Sequence, residues 1–323
     1  YPQVTTALSM SVVAAIAVAV FYLSAHVEVG LVGRVGLFAV TIVSPASAVE
    51  VLGNFANLHW YFLWLAPWVF ISRPRSRHGG ALWGVVALLI LLTEVQAVLF
   101  LPLLLWRVRG SNRLWIAAGA LLGAAGQVSV TLLFPRGSAF PAVDTAMLLL
   151  TAKGYVLHVG GGLWGLSNPA PTVVVVTGWL VATAALFAPY IAIAFWSVLK
   201  APALRAPTIA ALVASALLWV AAAFVNDLPR QVARQIAALS RDGRAEILTL
   251  RHAVVPALLM AAVALLGADH LIRLATRWAR TAGIAMTAVL AGVALLSFTG
   301  DPAAQRRHTE VGWSAQLAAA TLA

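Results

Sequence analysis

Ser44-Pro45-Ala46-Ser47-Ala48-Val49-Glu50-Val51-Leu52-Gly53-Asn54-Phe55-Ala56-Asn57-Leu58-His59-Trp60 sets an acid, two amides and an imidazole between two apolar runs. Whether this stretch is helix or loop decides how the chain is threaded. Ser44 followed by Pro45 reads as a helix start: a hydroxyl cap, then a residue that needs no donor at the first helical position. A helix begun there puts Glu50, Asn54 and Asn57 at i, i+4 and i+7, one polar stripe on an apolar rod. The alternative is a hairpin loop between two spans, with the amides as turn residues.

The flanks of this stretch are membrane-like. The 323 residues are 62% hydrophobic and 10% charged, with a mean hydropathy of +0.94. A soluble domain carries about 25% charged residues and roughly half apolar ones. Apolar runs near ~20 residues recur along the chain, which predicts an all-α polytopic transmembrane bundle in a single domain. The short period-2 segments of an outer-membrane barrel are not seen. In such a protein the net charge of +11 reports cytoplasmic loops rather than nucleic acid as a partner. The absence of cysteine removes disulfides, thiolate metal sites and thiol nucleophiles. The chain opens at Tyr1 without an initiator Met or a signal peptide, which predicts a missing upstream segment.

In order, Thr6–Ser24 is a first span, a loop with Glu28 and Arg34 follows, and Val35–Val43 leads to Pro45. After the polar stretch, Trp60–Ile71 is a short third span, and Ser72 to His78 is a basic loop. Ala81–Leu92 and Ala97–Trp106 read as two short antiparallel helices with Glu94 at their tip, because Thr93-Glu94-Val95-Gln96 interrupts the run. About a dozen residues per arm rise only ~18 Å, so the pair must be buried among other helices. The alternative is a single crossing with Glu94 at mid-membrane, at a cost of about 2.5–3.5 kcal/mol if it faced lipid.

Leu114–Phe134 is a span, and 135–171 is a connection holding an interfacial or re-entrant helix. Thr172–Leu199 and Pro207–Val225 are spans. Within 226–250, Leu228, Val232, Ile236 and Leu239 form one face while Arg230, Arg234 and Arg241 occupy another, the pattern of an interfacial amphipathic helix. Ala253–Gly267 and Gly283–Phe298 complete about eight full spans. With Tyr1 outside and the broken pair counted as down and back, 12 of the 21 Lys and Arg fall in short loops on one side. That side is predicted to be cytoplasmic. The opposite face then gathers Glu50, Asn54, Asn57, Glu94, the 135–171 connection and the arginine helix.

A carboxylate close to apolar sequence is a functional candidate by default, so Glu50 and Glu94 are the candidate catalytic acids or bases. Structural pairing of either with Arg251 or Lys153 is the competing expectation. Asn54, Asn57, His59, Trp60, Gln96, Arg230, Arg234, Arg251 and His252 are the candidate substrate-binding residues. Arginines on the amphipathic helix suit a lipid phosphate, or anionic lipid in general. Trp60, Trp64 and Trp68, at i, i+4 and i+8, predict an interfacial, lipid-facing stripe. No His-x-x-x-His spacing points to a metal.

Three stretches carry a resemblance: Glu50-Val51-Leu52-Gly53-Asn54 through Asn57-Leu58-His59-Trp60; Leu92-Thr93-Glu94 leading to Leu101-Pro102-Leu103; and Arg251-His252-Ala253-Val254-Val255-Pro256-Ala257-Leu258-Leu259. Together they resemble multi-spanning bacterial, especially actinobacterial, proteins similar to the GT-C glycosyltransferase superfamily. The third looks like the late Arg-Tyr-x-x-x-Pro pattern, with His252 where Tyr is usual. The resemblance implies transfer of a sugar from a polyprenyl-phosphate donor to a glycan or protein acceptor, at the outer face of the plasma membrane. It implies no further cofactor. It also implies an acid in a first external loop, which would lie upstream of Tyr1. A transporter or lipid flippase is the alternative expectation, and a non-catalytic membrane scaffold the third.

Overall fold

The computed structural model of the chain describes residues 2–27, 29–47, 51–52, 54–105, 112–134, 144–165, 169–226, 228–242 and 250–300. Among them are twelve α-helices and no strand: α1 (Pro2–Leu23), α2 (Leu31–Val43), α3 (Leu58–Ile71), α4 (Arg77–Thr93), α5 (Arg113–Leu133), α6 (Thr145–Gly154), α7 (Gly161–Leu163), α8 (Pro169–Lys200), α9 (Pro202–Val225), α10 (Leu228–Asp242), α11 (Val254–Arg273) and α12 (Arg277–Gly300). A 3-10 segment, Val95–Leu105, follows α4, and a π-helical turn, Tyr155–Gly160, joins α6 to α7. Seven helical runs among the described residues are long and apolar enough to cross a membrane. The chain is an all-α polytopic bundle, as its composition predicts. At 13 and 14 residues, α2 and α3 are shorter than a full span.

α11 forms the axis. Its apolar residues encircle the helix, and 17 of its 20 residues are buried, as expected for a helix hydrophobic on every side. α2, α3, α8, α9 and α12 pack around it. Outer helices show the reverse: Leu121 and Leu122 of α5 and Val175, Val176 and Leu180 of α8 are exposed, the apolar surface that lipid would cover. α8 is broken at Gly178, whose backbone lies in the left-handed half of conformational space (φ 78°, ψ 162°), which only glycine adopts freely.

The helix expected to begin at Ser44 does not form. α2 ends at Val43, and Ser44 is already out of the helical region (φ −59°, ψ 126°). The cause is Pro45, whose ring disfavours helical geometry in the residue before it, so the Ser-Pro pair stops a helix rather than starting one. Ser47 Oγ closes the turn by donating to Ser44 O at 2.8 Å. Asn54 is extended (φ −102°, ψ 110°), and its Oδ1 accepts the Ala56 N–H at 3.0 Å. The amides are therefore turn residues at the entry to α3 rather than members of a helical stripe. Glu50 itself lies outside the described residues.

The lipid-facing tryptophan stripe is also absent. Trp60, Trp64 and Trp68 are all buried, and Trp64 Nε1–H donates to Thr41 Oγ1 at 2.9 Å. α3 has no polar face to turn away from the core, so α1, α4, α11 and the Val95–Leu105 segment enclose it.

The reversal at Glu94 does form, although the return arm is 3-10 rather than α-helical. Arg113 fixes where that arm ends: its Nη2 donates to Phe70 O (2.8 Å), Leu103 O (3.3 Å) and Leu104 O (3.2 Å). At the other end Gln127 Nε2 donates to Leu92 O at 2.6 Å. α4 and α5 lie so close that a Cβ on Gly84 would come within 2.5 Å of Trp115 O, and one on Gly119 would strike the Gly84 backbone. Gly84 meets Gly119, while Gly80 packs on Asn112 and Gly123 on Leu88 and Leu91; the pairs Gly80/Gly84 and Gly119/Gly123 carry the small-xxx-small spacing by which membrane helices approach.

The bundle has two chemically different ends. At the basic end, Arg34, Arg73 and Arg75 lie around His26, and Arg73 lies near Arg113. There Asp269 accepts N–H bonds from Gly30 and Gly33 at the start of α2 and pairs with Arg273. The other end carries Ser44–Ser47, Phe55–His59, Glu94 and the 3-10 turn Leu250–Ala253. Thr145–Leu163 lies on this end too: Tyr155 Oη meets Ser215 Oγ at 2.8 Å, Ser215 Oγ donates to Pro256 O at 2.9 Å, and Gly162 abuts Ala46. α10 packs along α6 with Leu228 and Val232 buried and Arg230 and Arg234 exposed, the amphipathic arrangement its sequence predicts.

Candidate functional site

Glu94 caps the C-terminus of α4. Its N–H still bonds Ile90 O at 2.9 Å, and its backbone then turns extended (φ −142°, ψ 107°). Oε1 accepts the Gln96 N–H at 3.2 Å, which orients the carboxylate. Opposite stands His59, in the first turn of α3, with Nδ1 2.9 Å from Ala56 O. A carbonyl only accepts, so Nδ1 carries the hydrogen, and Nε2 of the neutral ring presents a lone pair. That Nε2 is 4.0 Å from Glu94 Oε2. Between them opens a groove of ≈ 410 Å³, with Phe55, Leu58 and Phe62 on one side and Thr93 and Glu94 on the other.

Behind His59 lies an aromatic wall. The His59 and Trp60 rings are 4.7 Å apart, and His252 meets Trp60 edge-on at 5.3 Å. Arg251 Nε donates to His252 Nε2 at 3.4 Å. His158 and His59 both lie within electrostatic reach of His252. His158 Nε2 donates to Gln235 Oε1 at 3.2 Å, and its ring lies against Trp219 at 5.4 Å. Trp219 in turn anchors α6 by donating to Thr151 O at 2.8 Å. The indole N–H of Trp60 and Nδ1 of His252 are buried without a hydrogen-bond partner among the described residues.

Six of the predicted residues therefore come together: Glu94, Gln96, His59, Trp60, Arg251 and His252. The predicted pairing of an acid with Lys153 is not seen for Glu94, since Lys153 Nζ lies 5.0 Å over the Trp179 ring instead. Asn54 is engaged in its turn, and Asn57 is buried beneath it. Arg230 and Arg234 point outward from α10, away from the face that carries Gln235 to His158.

The chain matches no protein-family model, no curated protein and no solved structure.

His158 and Gln235 were not among the predicted residues. They are 77 positions apart, and neither belongs to a local motif. One signal was available: His158 is the single imidazole in the apolar run that leads into Gly160-Gly161-Gly162, and it sits on a π-helical turn, a distortion common at functional sites. No group of three His, Cys, Asp or Glu suited to a metal occurs among the described residues. What the site offers is a carboxylate and an imidazole acceptor facing each other across an open groove, with a guanidinium behind.

Proposed function

We propose that the chain is an integral membrane glycosyltransferase similar to the GT-C type, which transfers a sugar from a polyprenyl-phosphate donor to a hydroxyl acceptor at the Glu94 end. The observation that carries this reading is the 4.0 Å gap between Glu94 Oε2 and His59 Nε2. A hydroxyl placed between these two atoms lies within hydrogen-bond reach of both. An acceptor hydroxyl entering the groove takes that place. As its oxygen bonds the sugar's anomeric carbon, the hydroxyl proton passes to the carboxylate and the bond from that carbon to the phosphate oxygen breaks. Arg251 is the nearby cation suited to the departing polyprenyl phosphate. The positive-inside rule supports a cytoplasmic basic end, and hence an outward-facing groove in the plasma membrane. The buried α11 occupies the axis through which an alternating pathway would run, which favours transfer over transport.

The test is sugar transfer by the full-length protein in nanodiscs, with labelled polyprenyl-phosphate sugars as donors. Glu94→Gln is expected to lower turnover by roughly 10²–10⁴-fold while donor binding persists. Wild-type protein that neither transfers sugar nor binds any polyprenyl-phosphate sugar would sink the reading, as would an unimpaired Glu94→Gln.

A further inference from the structure

A second cavity shares no lining residue with the Glu94 groove. It opens on the flank of the bundle between α9 and the Val95–Leu105 segment and has a volume of ≈ 260 Å³. Its floor is one stripe of α11, Leu259, Ala262 and Leu266. Leu99, Val213 and Leu217 at its margin are exposed, so the crevice opens sideways where lipid would lie. The lining is predominantly apolar, with Pro67, Trp68, Phe100 and Ala211 along its walls.

The crevice leads to the basic end, which it reaches at Val27, Ile71 and Pro207. Arg113 braces that corner by bonding Phe70 O and Leu103 O. Arg73 and Arg75 follow Ile71 closely in the chain, and Arg205 precedes Pro207; all three are exposed. Among the described residues Arg73 and Arg75 form no ion pair. Among the described side chains the one carboxylate at this end is Asp269, already bonded to Gly30, Gly33 and Arg273. An apolar slot open to the side, with exposed cations at its mouth, matches one ligand chemistry: a hydrocarbon chain in the slot and a phosphate at its end.

We propose that this crevice holds one acyl chain of an anionic phospholipid drawn from the leaflet at the basic end, with its phosphate against Arg73, Arg75 and Arg205. This site is separate from the sugar-transfer reading and stands whether or not that reading holds.

The experiment is native mass spectrometry of the full-length protein after exchange into nanodiscs of dioleoyl phosphatidylglycerol or dioleoyl phosphatidylcholine. Phosphatidylglycerol is expected to stay bound through delipidation and phosphatidylcholine to leave. Soluble glycerol phosphate is expected neither to bind nor to compete. Each exposed arginine replaced in Arg73→Ala, Arg75→Ala and Arg205→Ala should weaken retention by about fivefold. Ala211→Phe, which fills the crevice, should abolish retention while the basic end is intact. A phosphatidylglycerol with a photoreactive acyl chain gives a readout independent of variant folding, with adducts expected on Leu99, Phe100 or Leu217. Equal retention of the two lipids would overturn the proposal. So would adducts confined to other surfaces, competition by glycerol phosphate, or phosphatidylglycerol retention unchanged in a folded Ala211→Phe.

Discussion

Asp269→Ala is the most informative perturbation of the fold. The carboxylate is 2% exposed and stands 239 and 236 residues from the backbone groups it binds, Gly30 N–H at 2.8 Å and Gly33 N–H at 3.0 Å. It thus caps α2, a helix whose own N-cap residue, Gly30, has no side chain to do so. The approach leaves no space, since a Cβ on Gly30 or Gly33 would touch the carboxylate at 2.6 and 3.1 Å. Hydrogen bonds to a charged group are worth about 1.5–3 kcal/mol each. Gly33 is buried and loses its bond outright on truncation, whereas the half-buried Gly30 recovers part of its loss from solvent. The two together give about 3–4 kcal/mol. Arg273 reaches Asp269 Oδ2 at 2.9 Å, but its side chain is 45% exposed, so the ion pair itself adds at most about 1 kcal/mol. Asp269→Asn keeps the shape and one acceptor and should cost about half as much as Asp269→Ala. Arg273→Ala should cost least. Thermal unfolding in nanodiscs, followed by tryptophan fluorescence, checks the order, with Tm for Asp269→Ala lowered by roughly 5–10 °C. If Arg273→Ala were as damaging as Asp269→Ala, the ion pair rather than the cap would hold this end. An Asp269→Ala loss under ~1 kcal/mol would refute the capping account altogether.

Three further outcomes follow from particular contacts. Gly119→Val should drive α4 from α5 and cost at least ~2 kcal/mol, whereas Leu121→Ala on the outer face of α5 should stay within ~0.5 kcal/mol; equal Tm values for the two would contradict the close approach. Trp64→Phe should cost ~1 kcal/mol through loss of its bond to Thr41, measured by the same unfolding assay, and no change would favour a lipid-facing ring. His59→Phe should lower sugar transfer at least tenfold with Tm unchanged, because it removes an acceptor at the open groove while keeping the ring packed on Trp60; undiminished transfer would remove His59 from the mechanism.

Much of this architecture is legible in the sequence, and the failures share a cause. α1, α5 and α9 announce themselves as long apolar runs. The reversal at Glu94 is legible because four interrupting residues divide a run too long for a helix that must keep Arg107 and Arg109 on the side of Arg73. Ser44-Pro45 misleads because proline both suits a first helical position and bars the preceding residue from helical geometry. Local sequence does not say which effect wins once α2 already runs to Val43. The α3 tryptophans mislead for a membrane-specific reason: lipid and protein core are equally apolar, so an all-apolar helix carries no directional signal. The contacts of His158 with Gln235 and of Asp269 with Gly30 join distant segments through single bonds, which no periodicity encodes.

The short helices also set where the chemistry sits. α3, with 14 residues, rises ~21 Å, α4, with 17, ~25 Å, and the 11-residue 3-10 arm ~22 Å. All three meet the basic end, where Arg113 ties Phe70 to Leu103 and Gly80 packs on Asn112. A hydrocarbon layer is ~30 Å thick, roughly 5–9 Å more than these segments rise, and their far tips carry His59 and Glu94. A carboxylate within that layer is tolerated in a cavity or beside a partner, not against lipid. Glu94 has both: the groove and His59. Full-length helices would lift the pair into bulk water, where water competes with an acceptor hydroxyl for any activated centre. On the proposed sugar-transfer reading, a pair recessed below the head groups would be reached by a lipid-anchored donor from the membrane and by a polar acceptor from outside. On that reading, the shortness that makes α3 and α4 poor spans would suit their tips to a reaction between a membrane-bound and a water-borne partner.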